Sequence, residues 1–451
     1  QLATDFCCEC ATAIPFSPQP YTPSTMSQYE LNRVTFIPKE SKADWLDVSD
    51  PAQAKFVEAF GMDLNRSRLD EQEANYYTIN QRAQAACAKA GEELHGMFVE
   101  VTKKVLASDE LMERFGLPKK MWGRIRKSFE TQPFAISGRF DFVIDGKGEQ
   151  LKTFEYNADS ASTLLECAVV QGKWASSVGI TEGSTSAGAN IDELAVAAWE
   201  EAVAGGVIQK GGKVHFMVDN DKEEQYTALY LAGKAQKAGL DTELLVMLDG
   251  LQWLNGRVCD KSTGTPVTTV WKTWAWETAI ANLEKSEQER GADYKPKDGD
   301  AVWLCDVLLG DEDIKVFEPM WKLVPSNKAI LPLLWEAYPN HQNLLRTEWD
   351  VTAELKATGY ARKPIVGRCG LNITIVDQKG EAVEESKGQF GDRDLVYQEL
   401  FTLPKRDDYY AILGGWMIGS RYGGTGVRED KTVITNVESP FSAIRVVPDQ
   451  K

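Results

Sequence analysis

Three hard oxygen donors and a guanidinium occur together in residues 138–162, GRFDFVIDGKGEQLKTFEYNADSAS, as Asp141, Glu155, Asn157 and Arg139. Mg2+ takes a few carboxylate or amide oxygens and completes its shell with water and phosphate, so this set suits an ion shared with a nucleotide. Two alternating runs are placed to gather it on one surface. Residues 137–144 put Arg139, Asp141 and Val143 on one face and Phe140, Phe142 and Ile144 on the other, while Leu151, Thr153, Glu155 and Asn157 share a face of the second run. Asp145-Gly146-Lys147-Gly148 between them reads as a hairpin turn. Centred near Gly148, the hairpin sets Asp141 opposite Glu155 and Arg139 opposite Asn157. Opposed residues of an antiparallel pair point to the same side. A slip of one residue would send the acids to opposite faces, and a polar, solvated hairpin face is the plainer alternative.

The chain that carries this stretch has 451 residues, which predicts two or three lobes rather than one core. Hydrophobic residues make up 43% and charged residues 26%, an ordinary balance for a globular chain, and no apolar run is long enough to span a bilayer. A net charge of −17 argues against a nucleic-acid backbone as the main partner and is compatible with a cationic substrate. Of eight cysteines only Cys7, Cys8 and Cys10 cluster, without the paired spacing of a zinc site. Scattered single cysteines point to a reducing, cytoplasmic compartment. The first residue is Gln1, so an organelle stays open, although Asp5 and Glu9 count against a transit peptide. None of His95, His215 and His341 sits in a triad-like motif, which argues against hydrolase chemistry.

Residues 1–55 mix Pro, Ser and Thr and read as an extension or linker. Residues 56–135 read as a helical region, with helical periodicity running from Tyr76, Tyr77 and Ile79 through Leu94, Phe98 and Val105. Strand 214–218, helix 222–238 and strand 244–247 follow within residues 136–320, an α/β lobe with a substantially parallel sheet. The tryptophan-rich run 270–278, VWKTWAWET, reads as a pocket wall rather than plain core, because Lys272, Thr273, Glu277 and Thr278 interleave it. In residues 321–451, Lys328 opens an apolar helix and 363–376 reads strand, glycine-flanked loop, strand. Residues 395–401 form another strand, and a glycine-rich turn precedes Arg428. Glycines at such turns let backbone N–H groups approach phosphate, and lysines neutralise it.

Taken together, GRFDF, FEYNADSAS, DKEEQY, VWKTWAWET, FEPMW, NKAILPLLW, TGYARKPIVGRCG, VYQELF and YGGTGVRED resemble the synthetase domain of the glutathionylspermidine and trypanothione synthetases. The resemblance runs from about Phe56 to Val447 with the motifs in the family's order. It implies a mixed α/β (α+β) ATP-grasp fold with a preATP-grasp-like lobe in residues 136–320 and a nucleotide-binding lobe in residues 321–451. It also implies a ligase that joins the glycine carboxylate of glutathione to an amine of spermidine at the expense of ATP. By resemblance Asp141, Glu155 and Asn157 are the ligands of Mg2+, as two ions, and Arg139, Arg368 and Arg428 attend the reacting phosphate. Lys328, Lys363, Cys369 and the strand Gln398, Glu399, Leu400 and Phe401 take the nucleotide. Arg139, Ser160, Ser162, Glu223 and Thr278 face the glutathione-like peptide and Glu224 the polyamine.

The expected partners are therefore small molecules, in a homodimer or a subunit of a larger complex. Residues 1–50 are too short for the Cys–His amidase domain of bifunctional relatives. Pro440 stands where bacterial members carry an acid near the polyamine, with Glu438 as a substitute if the backbone turns it inward, and Thr163-Leu164-Leu165 replaces a more polar run. These departures leave two other readings open, a structural subunit that kept the fold and a ligase for a different amine.

Overall fold

The alternating stretch forms the expected hairpin. Ser137–Ile144 pairs antiparallel with Leu151–Asn157, Arg139 facing Asn157 and Asp141 facing Glu155, and Gly148 supplies the positive φ of 68° that the turn requires. A bulge follows: Phe142 pairs with Thr153, so Phe154 is the extra residue. The structure, a computed structural model, describes residues 28–38, 44–64, 73–311 and 313–450. The cysteines Cys7, Cys8 and Cys10 and most of the expected extension lie outside the described residues.

The hairpin supplies two strands of a five-stranded antiparallel sheet. Its Ser137–Ile144 strand pairs with Tyr410–Ile418, which pairs with Arg421–Asp430 and then Phe441–Ser442. The apolar face of the hairpin is closed by the long helix Gln81–Leu106, whose Phe98 ring lies 5.4 Å from Phe140 and 5.5 Å from Tyr156. Phe140 and Tyr156 themselves stack at 4.0 Å across the strands. With that face buried, the alternation leaves Arg139, Asp141 and Glu155 on the side away from the helix.

A second antiparallel sheet, ordered Thr347–Glu348, Leu395–Glu399, Tyr360–Pro364, Thr374–Val376 and Ala382–Glu385, supplies the other wall of a cleft. The third sheet is wholly parallel, in the order Lys315–Phe317, Thr269–Lys272, Lys213–Val218 and Asp241–Val246. Helices Ile191–Ala204 and Lys222–Lys237 and a small hairpin, Leu251–Leu254 with Arg257–Asp260, accompany it, as the α/β alternation predicts. The expected boundary near residue 320 is bridged, because the 137–157 hairpin shares its sheet with residues 410–442. No helix among the described residues is long and apolar enough to cross a membrane.

Three local expectations are corrected. Leu31–Phe36 is a strand, not linker, and Ala74–Asn80 is a strand, not the start of a helix. Tyr76, Tyr77, Thr78 and Ile79 favour extended backbone, and the helix begins only at Gln81, where the Asn80 side chain accepts from the Ala83 amide. Both strands join Ile444–Val447 and Thr185–Ser186 in a fourth sheet. The glycines before Arg428 lie within the strand Arg421–Asp430 rather than in a turn.

One buried charge ties these sheets together. The Glu429 carboxylate is fully buried and accepts from Arg33 at 2.8 and 3.3 Å, from Tyr77 at 2.7 Å and from Asn75 at 3.0 Å. Removing one partner of such a pair strands a charge in low dielectric. Arg33→Ala is therefore expected to lower the unfolding free energy by about 3 kcal/mol, read by chemical denaturation. An unchanged midpoint would show that Tyr77 and Asn75 suffice alone.

Candidate active site

A cleft of about 400 Å3 opens between the hairpin and the second sheet, and Asp141, Glu155, Lys328, Lys363, Arg368 and Gln398 line it. Each is delivered by a different local device. Asn327 fixes Lys328 by donating to the Phe115 carbonyl at 2.9 Å and accepting from the Ala329 amide at 2.9 Å. The Lys328 ammonium then reaches Glu155 Oε2 at 2.9 Å and the Gly367 carbonyl at 3.2 Å. Lys363, on the strand Tyr360–Pro364, donates to Gln398 Oε1 at 2.6 Å and lies 5.0 Å over the bulged Phe154 ring. Gln398 in turn donates to the Phe154 carbonyl at 3.3 Å, which joins the two sheets at the base of the cleft.

The charges are mutually adjusted. Burial pushes the Glu155 carboxyl up, but the ammonium groups of Lys328 and Lys363 outweigh it and hold the group below its ordinary value. Burial lowers the Lys363 ammonium to about 8, against the pull of Glu155. Arg139 lies under the metal-type face, donating to Asp141 Oδ1 at 2.9 Å and to the Ser162 carbonyl at 2.7 Å. Gly414 makes room for it, since a Cβ there would meet Arg139 Cδ at 2.7 Å. Asn157 donates its amide nitrogen to the Arg139 carbonyl at 3.4 Å. One oxygen of Asp141 and one of Glu155 are engaged by cations. The remaining oxygens suit a hard cation.

A second, narrower cavity lies along residues 159–162. It is lined by Ser160, Ser162, Glu223, Glu224, Lys272 and Glu318, among others. Arg368 bridges the two cavities by donating to Ser160 Oγ at 2.8 Å. Burial raises the Glu224 carboxyl to about 7, Thr273 opposes the shift, and Asp219, Glu223 and Asp221 reinforce it. The tryptophan-rich run does form a wall, through Trp271, Lys272 and Thr273.

Not every candidate converges. Thr278 is exposed in the first turn of the helix Trp276–Arg290, and neither it nor Cys369 lines a cavity described above. Cys369 is exposed at φ 51°, while its neighbours Gly367, Arg368, Gly370 and Leu371 line the cleft. Glu399, Leu400 and Phe401 line the cleft beside Gln398. Arg428 lines a small cavity with Arg139 and Asp141, but its guanidinium also donates to the carbonyls of Asn436 and Ser439.

Asp159 and Glu318 were not singled out by their spacing, and Lys272 only as part of the pocket wall. Lys272, almost fully buried, donates to Asp159 Oδ1 at 2.7 Å, and Asp159 Oδ2 accepts from the Trp276 amide at 2.9 Å. Glu318 accepts from the Ser137 amide at 2.8 Å, and burial lifts its carboxyl to about 7 despite Lys322. A lysine flanked by tryptophans in a strand pattern is the signal that could have found the first pair.

Residues 46–447 match the family model described as glutathionylspermidine synthase preATP-grasp. The chain belongs to that family. It is 50% identical over 418 residues to a trypanothione synthetase of Crithidia fasciculata, covering 92% of this chain and 63% of that protein. It is 40% identical over 408 residues to a bifunctional glutathionylspermidine synthetase/amidase of Escherichia coli, covering 89% of this chain and again 63% of the relative. The chain thus spans less than two thirds of these curated relatives. A glutathione synthetase-like effector of Globodera pallida superposes with a TM-score of 0.51 at 11% identity, over 88% of this chain and 96% of that one, a likeness of fold. The mixed α/β, ATP-grasp class expected of a glutathionylspermidine synthase-family chain is the class observed.

If the cleft holds the nucleotide of this ATP-dependent family, Lys363→Ala removes a charge-assisted contact of about 1.5–3 kcal/mol. ATP affinity, measured by calorimetry, is then expected to fall roughly 10- to 100-fold with the fold intact. Unchanged affinity would remove Lys363 from the nucleotide site.

Proposed function

We propose that this chain is an ATP-dependent carboxylate–amine ligase that joins the glycine carboxylate of a glutathione-like peptide to an amine of spermidine or a related polyamine through an acyl phosphate. The observation that carries the reading is the junction of the two cavities. A cation-rich cleft and an acid-lined cavity are linked by two guanidinium groups, Arg368 of the cleft donating to Ser160 of the cavity, and Arg139 donating to Asp141 on the cleft side and to the Ser162 carbonyl on the cavity side. A carboxylate is a poor acylating agent, so it must first be phosphorylated, and that step needs alignment and charge neutralisation more than a nucleophilic side chain.

In this reading residues 136–320 form the preATP-grasp-like and substrate-binding lobe and residues 321–451 the nucleotide-binding lobe, with the shared sheet between them. Lys328 and Lys363 hold the phosphates, and Gln398 to Phe401 frame the base. Asp141, Glu155 and Asn157 would hold Mg2+, as two ions, which when bound neutralises phosphate charge and aligns the terminal phosphoryl group. Arg139 and Arg368 meet the charge that develops between the phosphoryl group and the peptide carboxylate. Ser160, Ser162 and Glu223 orient the peptide, and Arg428 braces the 436–439 loop beside them. Glu224 receives an ammonium group of the amine.

The acceptor's far end is the altered part of the site. Pro440 is half-buried and offers no charge, and Glu438 is exposed rather than turned inward. The chain is therefore expected to take spermidine more weakly than a relative with an acid at that place. Glu224 gives the pH test its sign. Its carboxyl is neutral below about 7 and ionised above, so amine affinity should rise as the pH passes from 6 to 8. ATP turnover with glutathione and a panel of polyamines should show KM for the preferred amine falling over that range, and a flat profile in Glu224→Gln. No amine-dependent turnover with any polyamine would overturn the proposal.

A further inference from the structure

We infer that His215, Glu243 and Asp260 form a binding site for a divalent transition-metal ion of the zinc class, which fastens the 251–260 hairpin to the parallel sheet. None of the three lines either active-site cavity. His215 stands in the inner strand Lys213–Val218, and the parallel register puts Glu243 of the edge strand directly beside it. Asp260 ends the strand Arg257–Asp260 of the covering hairpin. One ligand atom from each lies within 4.8 Å of the others, and His215 Nε2 is 3.8 Å from Asp260 Oδ2. Zinc–nitrogen and zinc–oxygen bonds of about 2.0–2.2 Å set tetrahedral ligand atoms roughly 3.4 Å apart, so small rotamer changes close the site.

The unsatisfied atoms point to a ligand. His215 and Asp260 are each only 1% exposed, yet neither ring nitrogen of His215 nor Oδ2 of Asp260 has a well-formed hydrogen bond, the Thr269 backbone alone approaching the ring. Leaving such groups unpaired inside a protein is costly, and a shared cation satisfies an imidazole nitrogen and a carboxylate oxygen together. Burial keeps the imidazole below its ordinary pKa despite Glu243, Asp260 and the Thr269 backbone, with Lys213 adding to the shift.

The surrounding groups hold the carboxylates in place. Asp260 Oδ1 accepts from the Ser262 amide at 2.7 Å and hydroxyl at 2.8 Å, which aims Oδ2 at His215. Lys213 sits on the far side of Glu243, 2.9 Å from Oε2, and also pairs with Asp241 at 3.5 Å. One imidazole with two carboxylates favours zinc, cobalt or manganese over magnesium or calcium, which avoid nitrogen.

The test uses the full chain stripped with EDTA, desalted, and titrated with Co2+ and then Zn2+. Co2+ should give a weak visible band without the strong near-ultraviolet thiolate absorption that binding at cysteines would produce. Zn2+ should displace it and raise Tm by about 3 °C, with no response to Mg2+. Glu243→Gln, half-exposed on an edge strand, and the isosteric Asp260→Asn should retain the metal-free Tm and weaken Co2+ affinity at least about tenfold. Absence of the band and of the Tm shift would overturn the assignment, as would a response that survives in both variants. Stability that falls with rising pH and ignores metal would make the trio an imidazolium–carboxylate pair instead.

Discussion

A half-buried carboxylate stays ionised only if cations are brought to it, and the cleft is arranged around meeting that demand at Glu155. Lys328 arrives from the start of an apolar helix and Lys363 from a strand of a different sheet, and together they outweigh the burial of the acid. Glu155 in turn offsets the repulsion between the two lysines, and it opposes the burial that lowers Lys363 to about 8. The cluster therefore couples the hairpin, the 327–337 segment and the second antiparallel sheet into one electrostatic unit. A polyanion entering there meets preorganised positive charge, with carboxylate oxygens on the hairpin side for a hard cation.

The hairpin serves this unit because its two faces have different neighbours. Phe140 and Tyr156 stack under the long helix and fix the register, and a one-residue slip would turn that pair outward and bury the acids. The hydrophobic contact on one side thus enforces the charge geometry on the other. The Phe154 bulge adds a twist that carries its ring beneath Lys363 and its carbonyl to Gln398. At the second cavity the same economy recurs: Asp159 joins Lys272 to the amide end of the 276–290 helix, so the 157–162 segment is held from behind while its serines face the cavity.

Much of this was legible in the chain. The hairpin register followed from period-two alternation and a turn signal, and the parallel lobe from strand–helix–strand alternation, because both are local patterns with one low-energy solution. The reading failed where local pattern and tertiary context diverge. Tyr76 to Ile79 run into a long amphipathic helix and looked continuous with it, although their β preference and the Asn80 cap end the strand there. Leu31–Phe36 lacks a strong pattern of its own and is a strand because Ala74–Asn80 and Glu429 receive it. Buried pairs such as Lys272 with Asp159 depend on contacts across more than a hundred residues, which no window of sequence contains.

In the proposed reaction the cleft transfers a phosphoryl group to a carboxylate before the amine attacks. Glutathione labelled with 18O in its glycine carboxylate tests that claim directly when incubated with the chain, ATP, Mg2+ and the preferred polyamine. An acyl phosphate requires one labelled oxygen to leave with the phosphate, so mass spectrometry should find inorganic phosphate carrying a single 18O for each amide formed. Unlabelled phosphate accompanying amide formation would contradict the account.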